Sequence, residues 1–165
     1  MGSRAGRVLV LILPLVAAGC RQPDGPMPTP SPDAQEDLSD ISRDLTYIAT
    51  GSDPAAPQDL SADLRKYVGR DSVMPVVEEL SRRTAGAVAN TKPPEQTAQR
   101  LAHTLWLAIA SREISDRQVE ALQNDTQSML MSIGVADEQA QQVAAQVGEV
   151  QRTVTDRVRR WYEWF

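Results

Sequence analysis

Apolar side chains recur at every third or fourth position along most of the chain after Asp33. This spacing places them on one face of an α-helix, whereas a half-buried strand would need strict alternation. The first such stripe consists of Leu38, Ile41, Leu45 and Ile48. Neither alternating segments nor hairpin turns compete with this pattern. The sequence therefore predicts an all-α fold.

Five breaks divide the pattern into six helical segments, and four of these breaks contain glycine or proline. The breaks fall at Gly51, at Gly69, in the NTKPPE stretch at 90–95, near residue 113 and at Gly134. The apolar positions of the second, third and fifth segments are Leu60, Leu64, Tyr67, Val68, Val76, Val77, Leu80, Val88, Val119, Leu122, Met129, Leu130 and Ile133. We expect these segments to pack as a bundle of five or six helices.

The fourth and sixth segments stand out from the others. The fourth, from about Pro93 to Arg112, contains LWLAIA at 105–110, which is apolar on all sides and predicts the buried centre of the bundle. The sixth is the longest, and its stripe is Ala140, Val143, Val147, Val150, Val154, Val158, Trp161 and Phe165. Because valine is a poor helix former, this helix should depend on burial of its stripe.

Local signals predict where three of the helices begin. Ser115 and Gln118 have the spacing of a capping box, in which the serine accepts a bond from the third helical residue and the glutamine reaches back. Ile114 and Val119 are spaced to pack together beside it as a hydrophobic staple. Ser72 and Asp137 are predicted to cap the third and sixth helices.

The first 19 residues have the three-part layout of an export signal. A short basic stretch, MGSRAGR, precedes the apolar VLVLILPLV, and small residues follow. The nine residues from Val8 to Val16 would span only about 14 Å as a helix, too short for a hydrocarbon core of about 30 Å. The segment therefore predicts export of the chain and not a membrane span.

The residues Ala17-Ala18-Gly19-Cys20 resemble the lipobox of bacterial lipoproteins. This resemblance implies cleavage between Gly19 and Cys20 and attachment of acyl chains such as palmitate at Cys20, so that the bilayer becomes a partner of the protein. Ala17 departs from the leucine usual at its position, and Ala17 and Gly19 would also suit the ordinary signal peptidase, which would give a secreted soluble protein. We favour lipidation, because Cys20 is the only cysteine and would otherwise be an unexplained thiol.

A proline-rich segment follows Cys20 and predicts a disordered, extended tether. Its prolines are Pro23, Pro26, Pro28, Pro30 and Pro32. The predicted organisation is a signal peptide at 1–19, a lipidated tether at 20–34 and a helical domain at 35–165. The tether would act as a spacer, with a PxxP-type docking site as the alternative. By the sorting rule of the lipoprotein family, an aspartate directly after the cysteine retains the protein at the inner membrane. Arg21 occupies this position here, which favours the outer membrane.

Composition and charge restrict the classes of partner. The net charge is −5, and it becomes −7 without the first 19 residues, which contain Arg4 and Arg7 but no acidic residue. Binding to nucleic acid needs clustered cations, so we expect no nucleic-acid partner. After cleavage at Cys20 no internal disulfide could form, and the fold should rest on packing.

Catalytic chemistry has few candidate residues. His103 is the only histidine and lies beside the apolar stretch of the fourth helix, where a position at the edge of the core is expected. The sequence contains no G-x-S-x-G motif, no glycine-rich phosphate loop and no histidine–cysteine cluster for a metal. We therefore expect no catalytic site, no metal and no cofactor, and no enzyme activity.

The segment RVRRWYEWF at 157–165 is the strongest candidate for a partner contact. It holds four of the seven aromatic residues beside three arginines, and both residue types are enriched at protein interfaces. Trp and Tyr also suit a bilayer surface. The candidate contact residues are Arg157, Arg160, Trp161, Tyr162, Trp164 and Phe165. The alternative is that Trp161, Trp164 and Phe165 continue the buried stripe while the arginines complement the helix dipole.

These features together predict a lipoprotein of the bacterial cell envelope, with its domain in the periplasm. The small helical domain would bind an envelope protein as an adaptor or accessory subunit. The alternative is a periplasmic stress chaperone or sensor, because ISDRQ at 114–118 resembles the LTxxQ motif of that family, with Gln118 matching and Ile114 and Ser115 in place of Leu and Thr.

Overall fold

The computed structural model describes residues 27–68, 71–111 and 114–162, with side chains described up to Thr155. These residues form an all-α bundle, as predicted. The helices are α1 (Pro32–Thr50), α2 (Ala56–Arg65), α3 (Met74–Val88), α4 (Glu95–Ala110), α5 (Asp116–Ser132) and α6 (Asp137–Tyr162). A short 3₁₀ turn at Asp71–Val73 precedes α3.

Polar contacts between side chains show that α1 and α2 run antiparallel, and that α5 and α6 do so as well. Lys66, just after α2, lies 3.3 Å from the carboxylate of Asp37 near the start of α1. The side chain of Gln127 in the second half of α5 donates to Asp137 at the start of α6, at 2.8 Å. The bundle therefore has an up-and-down arrangement at both of these helix pairs.

The predicted apolar stripes form one continuous core. Most of their members are buried, and within LWLAIA every residue is buried except Ala110, which is partly buried. The fully buried large residues include Ile41, Leu45, Leu60, Leu64, Leu80, Leu101, Leu105, Leu130 and Val143. The stripe of α6 is buried as far as Val150, and Val154 is partly buried.

Of the three predicted helix starts, only the capping box is confirmed. The backbone N–H of Gln118 donates to Ser115 Oγ at 3.3 Å, and the backbone N–H of Ser115 donates to Gln118 Oε1 at 2.8 Å. The predictions for Ser72 and Asp137 are wrong. The backbone passes through the 3₁₀ turn before α3, which puts Val73 at its capping position, and Ala136 holds the corresponding position of α6, with Ala140 N donating to its carbonyl.

The helical domain begins earlier than the boundary predicted at residue 35. Helix α1 starts at Pro32, because Ser31 caps it by accepting a bond from Ala34 N and a proline is well suited to the first helical turn. Upstream of this cap, Met27 is partly buried and packs against the core. Part of the proline-rich segment is thus attached to the bundle.

Replacing Ser115 with alanine should lower the free energy of unfolding by about 1 kcal/mol, because the first turn of α5 loses its side-chain acceptor. Urea denaturation followed by circular dichroism measures the change. Ser128→Ala is the matched control, since Ser128 is exposed in the same helix and alanine is a good helix former. Equal midpoints for the two variants would contradict a stabilising role of the capping box.

Candidate functional site

A buried carboxylate lies between α1 and α2. Asp44 occupies the inward stripe of α1, three residues after Ile41 and four before Ile48, and only 8% of it is exposed. Its Oδ2 atom is buried without a hydrogen-bond partner. A charged group in this position is poorly solvated, so the protonated form is favoured.

The surroundings of Asp44 further favour its protonated form. Burial and, after it, the negative charges of Asp63 and Asp59 on α2 and of Asp40 on α1 together raise the pKa of Asp44 from 3.8 to about 7, while Arg43 opposes them. Asp44 therefore changes charge near neutral pH, unlike an ordinary surface aspartate. Among the described residues, no group of acidic, histidine or cysteine side chains is arranged to hold a metal ion.

A cluster of polar side chains connects the end of α2 to the start of α1. Tyr67 donates its hydroxyl to Asp37 Oδ2 at 2.5 Å, and Lys66 lies 2.9 Å from Asp63. The hydrogen bond from Tyr67 lowers the pKa of Asp37, whereas burial, followed by the bond to Asp37, raises the pKa of Tyr67. Asp37 therefore stays ionised and Tyr67 protonated near neutral pH, and the contact persists.

His103 belongs to an aromatic stack and not to an acid–base pair. Its ring stacks on Trp106 with centroids 5.9 Å apart, and Tyr67 meets Trp106 edge-on at 6.2 Å. Burial lowers the pKa of His103, so the neutral form predominates at pH 7. Within the described part of the chain, no acid or hydroxyl is placed to orient this ring as a general base.

A shallow groove of about 430 Å³ runs between α1 and the start of α4. The residues that line it are Gln35, Leu38, Ser39, Ser42, Arg43, Thr46, Tyr47, Glu95 and Gln99. Tyr47 is 37% exposed and is, with Met131 on α5, one of two large hydrophobic side chains exposed in the region that the structure covers. The groove offers one aromatic ring in a mostly polar surface.

Two buried glutamines hold α6 against its neighbours. Gln151 is completely buried, donates to the Ser111 carbonyl at the end of α4 at 2.7 Å, and accepts a bond from Thr155. Gln146 donates to the Val76 carbonyl in the first turn of α3 at 3.3 Å. We call the end of the bundle where α1 and α3 begin and α4 ends the proximal pole.

Most of the site residues predicted from the sequence lie outside the residues or side chains that the structure describes. Gly19 and Cys20, with the whole predicted signal, lie outside the described residues, as do Trp164 and Phe165. For Arg157, Arg160, Trp161 and Tyr162 the helical backbone of α6 is described and the side chains are not. Their roles remain predictions.

Sequence reasoning missed Asp44 and Gln151. The sequence did contain a signal for both, because each is a polar residue at a position where the helical spacing predicts a buried side chain. Asp44 follows Ile41 by three residues, and Gln151 follows Val147 by four. None of the helices among the described residues is both long and apolar enough to cross a bilayer.

No protein-family model matches this chain, and comparisons with curated proteins and with solved structures gave no match either.

Proposed function

We propose that this protein is a lipoprotein of the bacterial cell envelope, anchored through acylated Cys20, whose helical domain is a non-catalytic adaptor or accessory subunit. The observation that carries the proposal is the position of the only cysteine, directly after an apolar stretch and three small residues. Acyl chains there contribute about 0.8 kcal/mol per buried methylene, and two or more chains make membrane attachment stable.

The packing of Met27 supports a domain that works close to its anchor. Only the six residues at 21–26 separate Cys20 from this partly buried side chain. A segment of that length gives the helical domain little freedom to move away from the bilayer. Such restriction suits a subunit that meets its partner at the membrane surface.

Three features favour an adaptor over an enzyme or a chaperone. His103 stacks on Trp106 instead of facing an acid, which supports a non-catalytic domain. The resemblance to the LTxxQ motif is accounted for by the capping box of Ser115 and Gln118. Among the side chains that the structure describes, Tyr47 and Met131 are the large hydrophobic ones that are exposed, and they provide less apolar area than a client-holding surface needs.

Expression of the full chain in a Gram-negative bacterium tests the anchor. We expect intact-mass spectrometry of the membrane fraction to show a chain beginning at Cys20 and carrying fatty acyl groups. Cys20→Ser should abolish acylation, and Cys20→Ser combined with Thr29→Cys, which keeps one thiol but moves it, should not restore it. A mature chain with a free thiol at Cys20, or one that begins elsewhere, would refute the proposed lipoprotein.

The adaptor role is tested separately from the anchor. Crosslinking in intact cells followed by purification should recover one partner in constant proportion to this protein. A chaperone would instead suppress aggregation of several unrelated unfolded proteins in vitro, and that result, without a stoichiometric partner, would favour the alternative.

A further inference from the structure

The groove between α1 and the start of α4 offers several polar side chains that have no partner within the described part of the chain. The side chains of Gln35, Ser39 and Tyr47 line it and form no hydrogen bond with any described residue. They follow one face of α1, because steps of three or four residues return to the same side of a helix. Donors and acceptors are therefore available to a ligand along about 18 Å of this helix, from Gln35 to Tyr47.

Ser42 provides a deeper hydroxyl group in the same groove. The residue is only 7% exposed, and its Oγ atom has no hydrogen-bond partner among the described residues. The backbone carbonyl of Ser42, by contrast, accepts a bond from Thr46 Oγ1 at 3.0 Å. Ser42 Oγ is accessible to solvent, unlike Asp44 Oδ2. A hydroxyl in this position gains a hydrogen bond when a polar ligand fills the groove.

The charged groups that line the groove already have partners. Arg43 Nη1 lies 2.9 Å from Asp40 Oδ1, and Gln99 Nε2 donates to Glu95 Oε1 at 3.0 Å. Arg43 and Glu95 contribute one charge each, and these two charges have opposite signs. A charged ligand therefore finds no excess of the opposite charge in the lining, which favours an uncharged polar ligand.

The lining also differs from the surfaces that bind peptides. An extended peptide adds to the open edge of a sheet, whereas a helical or proline-rich peptide needs a row of apolar or aromatic side chains. The residues that line this groove include one aromatic residue, Tyr47, and one aliphatic residue, Leu38, which is itself packed against the core. A peptide would therefore have little to bind besides separate polar groups.

A saccharide matches both the polar and the aromatic part of the lining. The hydroxyl groups of a sugar donate and accept hydrogen bonds, as serine, threonine and glutamine side chains also do. The C–H groups on the face of a sugar ring pack on the electron-rich face of an aromatic ring, and Tyr47 is 37% exposed in the groove. The volume of about 430 Å³ lies within the range of about 300–1,000 Å³ that is usual for small-molecule sites.

The position of Tyr47 places the aromatic part of the groove away from the point at which the chain enters α1. Helix α1 begins at the proximal pole, and Tyr47 follows Pro32 by fifteen residues, which is about 22 Å along the helix. Glu95 is the first residue of α4, and α4 ends at the proximal pole. The ring of Tyr47 therefore lies toward the opposite pole of the bundle.

We propose that the groove between α1 and α4 binds a saccharide, and that its ligand in the cell is the glycan of the bacterial cell wall. The lining alone points to a sugar, whereas the choice of the cell-wall glycan rests on the proposed envelope location and on the position of Tyr47 away from the chain entrance. Tyr47 stacks on one sugar ring, and Ser39 and Ser42 bond its polar groups. Such binding would connect the anchored protein to the cell wall.

Titration with a trimer of N-acetylglucosamine, followed by two-dimensional NMR, tests the site. The isotope-labelled protein is a Cys20→Ser chain of residues 20–165, which keeps the complete bundle because every described contact lies within residues 27–162. We expect saturable shifts in α1 and the start of α4, including the side-chain amides of Gln35 and Gln99. The absence of saturable shifts, or shifts centred on other helices, would overturn the proposal.

Variants of the lining separate the ring from the hydroxyl groups. Tyr47→Ala should weaken trimer binding by roughly tenfold or more, whereas Tyr47→Phe keeps the ring and should bind within about threefold of wild type. Ser42→Ala should weaken binding by about threefold or more with an unchanged urea midpoint, because the lost oxygen has no partner in the fold. Met131→Ala is the matched control, since Met131 is also large, hydrophobic and exposed but lies on α5. Equal weakening in Met131→Ala and Tyr47→Ala would contradict the proposal.

Co-sedimentation identifies the source of the saccharide. The same chain is mixed with purified cell-wall sacculi and, separately, with vesicles of lipopolysaccharide. We expect it to sediment with the sacculi and to be released by the trimer, and Tyr47→Ala should stay in solution. Sedimentation with lipopolysaccharide alone would overturn the assignment to the cell wall. Dimerisation that is lost in Tyr47→Ala, with no response to saccharide, would assign the groove to a second copy instead. None of these outcomes alters the acylation test at Cys20, so failure of this site is distinguishable from failure of the proposed anchor.

Discussion

Replacing Asp44 with asparagine is expected to raise the free energy of unfolding by about 2–4 kcal/mol at pH 9 and by less than about 1 kcal/mol at pH 4. The substitution keeps the shape of the side chain and removes a charge that is buried between α1 and α2. In the wild-type protein this charge has no hydrogen-bond partner at Oδ2 and faces other aspartates. Asparagine avoids the electrostatic cost at every pH.

The sign follows from the raised pKa of Asp44. In the unfolded chain the carboxyl loses its proton near pH 3.8, whereas in the fold it keeps the proton until about pH 7. Between these values the folded state binds more protons, so the free energy of unfolding falls as the pH rises. Above pH 7 the cost is complete, and below pH 3.8 the carboxyl is protonated in both states.

Urea denaturation at pH 4, 6, 7.5 and 9 measures this effect. Asp125→Asn is the matched control, because Asp125 is exposed on α5 and its replacement changes the net charge by the same amount. The difference between Asp44→Asn and wild type should grow with pH, and that of the control should stay within about 0.5 kcal/mol. A pH-independent difference, or a loss of stability at pH 9, would show that Asp44 is better solvated than its burial indicates.

Periodicity alone was sufficient to predict the helices and most of the core. The stripe of α1 was predicted from four residues, of which Ile41, Leu45 and Ile48 are buried and Leu38 is partly buried. The α5 start was also predictable, because a capping box involves residues only three apart. These features depend on local geometry, which sequence spacing reports directly.

Helix starts without a side-chain cap were predicted poorly. At α3, Pro75 can occupy the first turn, and Val73 takes the capping position after a 3₁₀ turn. At α6, Asp137 is the first helical residue, and its carboxylate accepts bonds from Gln127 and Gln141. A serine or aspartate near a helix start has several partners available, and only the fold selects among them.

The candidate site depends on long-range contacts, which the spacing of residues along the sequence does not predict. Tyr67 reaches Asp37 across 30 residues and Gln151 reaches Ser111 across 40. Met27 packs on the core from within a proline-rich segment that has no helical period. The position of the chain entrance and of Gln151 at the same pole of the bundle follows from these long-range contacts alone.

Replacing Gln151 with alanine is expected to lower the free energy of unfolding by about 3 kcal/mol. The truncation leaves a cavity in a completely buried position and removes the bond to the Ser111 carbonyl. Thr155 also loses the acceptor for its hydroxyl. Because this side chain joins α6 to the end of α4, the C-terminal turns of α6 should lose protection from hydrogen exchange more than α1 does.

Two further variants separate the cavity from the hydrogen bonds. Gln151→Leu retains most of the volume and loses only the polar contacts, so we expect a smaller loss of about 1–2 kcal/mol. Gln142→Ala, at an exposed position of α6, should change stability by less than about 0.5 kcal/mol. If Gln151→Ala behaves like Gln142→Ala, the bond to Ser111 does not hold α6 at the proximal pole.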